Sequence, residues 1–357
     1  MTTEQLDFRP EELLADHPVE QPLFAGDVEC HGGFDADGRY VSPRTRYRTP
    51  AIDAWQASHR RQFGTDLLDI PLETWPENYP NVAQAKFLLC EGVREPLVAT
   101  LTRIGTVEGF GAMIRYSAVP EIERHFDDDL RGTATAHLDR GLLEAHARDE
   151  AGHEGQAGHK EMWFAARDLA FEHPVTKDQT ASMLERMGLS GGGGVVDPEV
   201  IRRQMEAARR FPEIDLGLEM LIQRMIRILL IEIQAYHVFA WAEEVLADPE
   251  LVAGDGEAAH LVAYIRQDES PHVEYLRTSL TEMRDRTFVG ESGARLAGSE
   301  VIGRLWDEAV EESMTVRREE GLRLTLREVE RALDGRPRAT DMLEEFHRLG
   351  SVRPGDV

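Results

Sequence analysis

Cysteine is scarce: Cys30 and Cys90 are the only two thiols in 357 residues. Two cysteines cannot build a disulfide framework or a four-cysteine metal site, and such usage fits a reducing compartment. Basic charge is short as well. Forty Lys and Arg stand against 66 Asp and Glu, a formal charge of −26. That leaves no electrostatic footprint for a phosphate backbone, so no nucleic-acid partner is expected. Residues 1–7 (MTTEQLD) lack a basic region followed by an apolar stretch, and no glycine-rich nucleotide motif follows a strand pattern. Uninterrupted apolar runs are few. The longest candidate, 218–241, is broken by Glu219, Arg224, Arg227, Glu232 and His237, which is costly in hydrocarbon. It reads as the buried centre of a helical bundle. The expectation is a cytoplasmic protein with no membrane partner.

What is present is ordinary globular material, 41% hydrophobic and 30% charged. Residues 1–80 contain eight of the 17 prolines and read as an irregular N-terminal extension. Within it, Gly32–Val41 reads as a small hairpin turning at Asp37-Gly38. Asp35 and Asp37 faintly resemble the start of a calcium loop. The other ligands at loop spacing do not follow, so turn chemistry is the better reading. From Asn81 helical periodicity takes over. A first helix is expected over about 81–117 with a kink at Pro96, and a second from a Thr133 cap to about 171. A connection over 172–213 carries the Gly191–Gly194 run and a short helix opened by Asp197-Pro198. Third and fourth helices are expected at about 214–247 and 257–286. Further amphipathic helices make a C-terminal extension, 287–357. The fold class is all-α.

Two of these helices contain nearly the same hexad: Asp149-Glu150-Ala-Gly-His153-Glu154, and Asp268-Glu269-Ser-Pro-His272-Val273. Glu and His three apart lie on one helix face, one turn from each other, and both reach a single centre. One Glu-x-x-His is unremarkable. Two copies, each preceded by Asp and placed in separate long helices, suggest a metal site. The third helix adds Glu232 inside an Ile-Leu-rich stretch, where an unpaired carboxylate is expensive to bury. Glu91, Glu95 and Glu108 are the candidates on the first helix. In antiparallel pairs, residues at one level lie equally far from the turn. Glu108 and Glu150 then centre on the Asp127–Gly132 turn, and Glu232 and Glu269 on the Asp248–Gly256 turn. Glu108 is preferred on this ground, with Glu91 as the alternative.

A Glu from each of two helices plus a Glu-x-x-His from each of the other two resembles the ligand pattern of ferritin-like di-iron carboxylate proteins. The likeness covers 81–286, a four-helix bundle with its crossover at 172–213. It implies a metal set of Glu108, Glu150, His153, Glu232, Glu269 and His272. It further implies that Asp149 and Asp268 orient the ligand histidines. His146, four residues before Glu150 on the same face, is a core histidine, a supporting one or an additional ligand. Gly152, Gly155 and Gly158 suggest that space is needed, either for close helix packing or for an oxygen and substrate cavity. Pro271 departs from the pattern: either the fourth helix kinks there, or Ser270-Pro271 starts a new one. The resemblance implies two iron ions, or manganese with iron, and O2 as co-substrate. The activity it suggests is an oxygenase or oxidase acting on a small organic or acyl substrate, supplied with electrons by an external donor; a homodimer is compatible with it. A ferroxidase or iron-handling protein is the alternative within the superfamily, and a non-catalytic helical interaction protein the alternative outside it. One turn after His153 stands Ala157, so no tyrosyl radical is implied there.

Overall fold

The computed structural model describes residues 5–171, 175–187 and 198–350. It is helical, with two small antiparallel sheets. In chain order come α1 (Pro10–Leu13), β1 (Gln21–Ala25), β2 (Val28–Phe34), β3 (Tyr40–Val41) and α2 (Thr45–Phe63). They are followed by α3 (Val82–Cys90), α4 (Glu95–Gly111), α5 (Leu143–Ala151), α6 (His159–Ala170) and α7 (Lys177–Arg186). The rest of the chain forms α8 (Pro198–Ala208), α9 (Leu216–Leu246), α10 (Glu257–Asp268), α11 (Ser270–Arg284), β4 (Thr287–Val289), β5 (Arg295–Ala297), α12 (Gly298–Glu312), α13 (Arg318–Leu333) and α14 (Ala339–Gly350). The Gly191–Gly194 run lies outside the described residues.

α9 is the axis of the core. Asp215 caps it by accepting from the Leu218 amide at 2.9 Å, and it is buried on most faces, as its composition predicts. α10 packs on α6 and α9, α11 on α9 and α2, and α4 on α5 and α6. The segment Glu95–Tyr116 has the length and mean hydropathy of a membrane span, and half of its apolar window is buried within the protein.

Three expected continuous helices are broken, each for a local reason. The first stops at Cys90, because Gly92 takes φ +70° and Val93 closes back on the Leu88 carbonyl. Pro96 therefore opens α4 in its first turn instead of kinking a longer helix. The second is interrupted at Gly141 (φ +126°) and again over 152–158. Thr133 does not cap the helix: it accepts from the Ala136 amide of a short 3-10 turn that Ala134 opens. The fourth restarts at Ser270 because Pro271 has no amide to continue the ladder. Glu269, at the joint, keeps right-handed helical angles. Glu269 and His272 thus stay one turn apart on one face.

Residues 1–80 are less irregular than expected. β1, β2 and β3 form one sheet, and its hairpin turn is held by Asp35, which accepts from the amides of Asp37 and Arg39. After it, α2 runs for 19 residues, with Ala51, Ile52, Trp55 and His59 buried. The eight prolines hide this helix. Pro50 sits inside it, between buried Arg48 and buried Ala51.

Candidate metal centre

Four carboxylates and three histidines meet between α4, α5, α6, α9 and the α10–α11 joint. The two carboxylates from single helices are Glu108 on α4 and Glu232 on α9. Glu150 comes from α5 and Glu269 from the joint. The histidines are His146 on α5, His159 at the first position of α6, and His272 on α11. His146, Glu150, Glu232 and His272 offer ligand atoms within 4.8 Å of one another, and so do Glu150, His159, Glu269 and His272. His159 Nδ1 lies 2.8 Å from Glu269 Oε1, 3.3 Å from Glu150 Oε1 and 3.9 Å from Glu108 Oε2. His272 Nδ1 lies 2.6 Å from Glu269 Oε2 and 3.5 Å from Glu150 Oε1. His146 Nε2 is 3.4 Å from Glu232 Oε1 and 3.8 Å from Glu150 Oε1, and its ring stacks on His272 with centroids 3.9 Å apart. Glu150 and Glu269 therefore touch both histidine groups.

His153 does not belong to the site. α5 ends at Gly152, which takes φ +78°, and His153 turns outward with a 35% exposed side chain beside Glu154. Its backbone pairs with Gln156 in a tight loop, and His159 supplies the imidazole. The Glu150-x-x-His153 spacing is a coincidence of sequence, because it brings both side chains to one face only along a continuous helix. The glycines were the available signal. Gly152 and Gly155 hold positive φ, and a Cβ on Gly158 would collide with the backbone of Gly152 and Asp149. Gly152 and Gly158 provide close backbone approach, the packing alternative, while Gly155 serves only the positive-φ turn. Gly158→Ala is therefore expected to displace His159 and to lower stability by about 3 kcal/mol. Chemical denaturation together with metal analysis checks it; a variant of normal stability and normal metal content would contradict this account of the loop. The alternative ligand Glu91 is also excluded. It caps α3 at the exposed surface.

The aspartates act across the helices. Asp149 Oδ2 accepts from His272 Nε2 at 2.9 Å, while Asp268 Oδ2 lies 3.5 Å from His159 Nε2. Each carboxylate favours a proton on the far nitrogen and leaves Nδ1 facing the glutamates. Each aspartate is in turn held by the N-terminal segment. Arg44, which precedes α2, and Arg48 within it clamp Asp149. His31 Nε2 on β2 and the Tyr40 hydroxyl on β3 bond Asp268 at 3.0 and 2.8 Å. β2 also pairs with the ligand loop, exchanging backbone bonds through Glu29, His31 and Ala157.

The electrostatics call for cations. Burial, with repulsion from Glu150 and Glu269, pushes the Glu108 carboxyl well above the usual range. Glu232 is pushed well up by burial and by all three other glutamates, and Glu150 is raised by burial and Glu269. Burial works against ionised Glu269 too, but His159 and His272 hold it well down. Among the described residues no Lys or Arg forms an ion pair with these four glutamates; their cationic partners are the histidines. Glu150 Oε2, Glu269 Oε1 and His146 Nε2 are buried with no hydrogen-bond partner. The 2.8 Å separation of His159 Nδ1 from Glu269 Oε1, which lacks hydrogen-bond geometry, is about the edge of an octahedron with bonds of about 2.1 Å. A carboxylate and imidazole donor set of this kind fits divalent first-row metals.

No family model, curated protein or solved structure matches the chain.

Proposed function

We propose that the chain is a ferritin-like di-metal carboxylate protein, and specifically a di-iron (or manganese–iron) oxidoreductase that uses O2 on a small organic or acyl substrate. The observation that carries the reading is the pair of histidine groups sharing Glu150 and Glu269 at ligand distances, with no Lys or Arg paired to the four glutamates among the described residues. When bound there, two irons would supply the redox chemistry that couples O2 reduction to substrate oxidation, with electrons from an external donor.

The chain's own residues do the rest. Asp149 and Asp268 fix the imidazole orientations. Apolar side chains of α9, such as Leu229 and Ile233, keep water away from the site. Access is favoured on one side only. Glu108 and Glu232 retain 8% and 5% exposure, while Glu150, Glu269, His146, His159 and His272 retain 1% or less. The exposed edge thus lies between α4 and α9. Arg224 donates to Ser117 at 3.0 Å further along the same seam. Between those two points Phe110, Met113 and Tyr116 on one side and Ile231 on the other are solvent-exposed. Exposed apolar side chains that follow Glu108 and adjoin Glu232 in sequence suit an organic substrate better than hydrated iron.

The test is aerobic. Protein loaded anaerobically with Fe(II) should react with O2 to give a transient near-ultraviolet or visible band, whose decay quickens when the true substrate is present. Accumulation of many ferric ions per chain as mineral would replace this reading by iron handling.

A further inference from the structure

The two halves of the centre are matched in outline and mismatched in charge. One half consists of His159 and Glu108, the other of His146, His272 and Glu232, with Glu150 and Glu269 common to both. Behind His272 stands Asp149, gripped by two arginines: Arg44 Nε at 2.7 Å from Oδ1 and Arg48 Nη1 at 2.7 Å from Oδ2. Both guanidiniums are buried, at 2% and 0% exposure, and guanidinium does not lose its proton in proteins. Arg44 shares its charge with Asp16 at 3.4 Å, but that carboxylate is exposed. Behind His159 stands Asp268, whose partners His31 and Tyr40 bring hydrogen bonds and no permanent charge.

We propose that the two metal positions are unequal: an oxygen-rich position at His159 and Glu108, and a nitrogen-rich position at His146, His272 and Glu232 whose backing aspartate is cancelled by Arg44 and Arg48. This rests on the di-metal reading and goes beyond it. Asp268, with its charge uncompensated, strengthens His159 as a donor and attracts a dication to that side. The arginine pair draws electron density from His272 through Asp149 and repels a dication through a dry interior, where charges act strongly. The donor sets push the same way. Carboxylates suit Mn2+, whereas imidazoles discriminate in favour of Fe2+ and Co2+ along the divalent series. Mn2+ should therefore fill the oxygen-rich position first and the other reluctantly, while Co2+ should fill both with a smaller gap.

The experiment titrates the full-length, metal-stripped protein with Mn2+ followed by electron paramagnetic resonance, and with Co2+ followed by its visible absorption. Two Mn2+ steps should differ by about tenfold or more, the range over which such supporting contacts act. His146→Gln should weaken only the weaker Mn2+ step and reduce the preference of that position for Co2+. Arg44→Gln should tighten the weaker step, and His31→Gln should loosen the tighter one. If the buried Arg44 variant fails to fold, the wild-type isotherm and His146→Gln still decide. Two Mn2+ bound in a single step of equal affinity, or an unchanged isotherm in His146→Gln, would overturn the inequality and leave the di-metal reading intact. Failure of wild type to bind either ion would overturn both.

Discussion

His159→Ala should strip the centre of metal, whereas His153→Ala should leave metal content within about twofold of wild type. The reason is positional. His159 Nδ1 touches three of the four glutamates, and its removal leaves the oxygen-rich half with no imidazole. Asp268 would then lie behind an empty space, with His31 and Tyr40 still bonded to it. The loss should spread to the second ion, because Glu269 is the one of the four glutamates held well down, and His159, 2.8 Å away, does this together with His272. The His153 imidazole instead lies beside Glu154, 3.5 Å away at the surface. Metal analysis and O2 consumption of the two variants separate these cases. Metal lost from His153→Ala but retained in His159→Ala would mean that the loop over 152–158 folds as a continuation of α5.

The contrast between the two histidines shows what a sequence pattern carries and what it does not. α9 was legible almost to the residue, since an all-round apolar stretch with Asp215 at its start has few alternatives. Glu108 was legible through the turn between antiparallel helices, an argument that needs only equal distances from a turn. Glu91, the less favoured alternative, is removed because Gly92 ends its helix, a local effect a single glycine can cause. The second Glu-x-x-His survived Pro271, because a helix restarting at Ser270 preserves the spacing across the joint. The first did not survive Gly152. Both breakers were visible in the sequence, but only the tertiary fold decides whether a break preserves a face or turns it away.

The supporting residues were invisible for a different reason. Arg44 lies 105 positions from Asp149, and His31 lies 237 from Asp268. No periodicity connects such pairs. Their segment was classed as irregular because prolines crowd it, yet it supplies every donor seen on the two aspartates apart from the ligand histidines. The N-terminal sheet and α2 are thus parts of the centre, which the helical periodicity beyond Asn81 gave no means of anticipating.

Metal-stripped protein should lose stability as pH rises from 6.5 to about 8.5, and metal-loaded protein should not. The sign follows from which state holds more protons. Glu108, Glu150 and Glu232 are raised in the folded chain, by burial first and then by one another, so they keep protons that the unfolded chain releases above its ordinary 4.5. His159 and His272 are raised as well, since the surrounding carboxylates outweigh the cost of burying their charge. The stability these five groups contribute is present at low pH and is lost as pH climbs through their folded values. Groups shifted downward work elsewhere. His31 and His146, lowered chiefly by burial, cost stability only below 6.5. Asp149, held down by Arg44 and Arg48 against its burial, matters only in acid. Above 6.5 the raised set therefore acts unopposed, at about 1.4 kcal/mol per pH unit for each proton retained. Bound cations take the place of those protons, leaving the carboxylates ionised in folded protein and the slope near zero. Calorimetric midpoints of chelator-treated and Mn2+-loaded protein should then diverge steadily with pH. A metal-stripped midpoint that stayed level or rose over this range would mean that the glutamates are already neutralised by the protein itself, and that no cation is needed to hold them together.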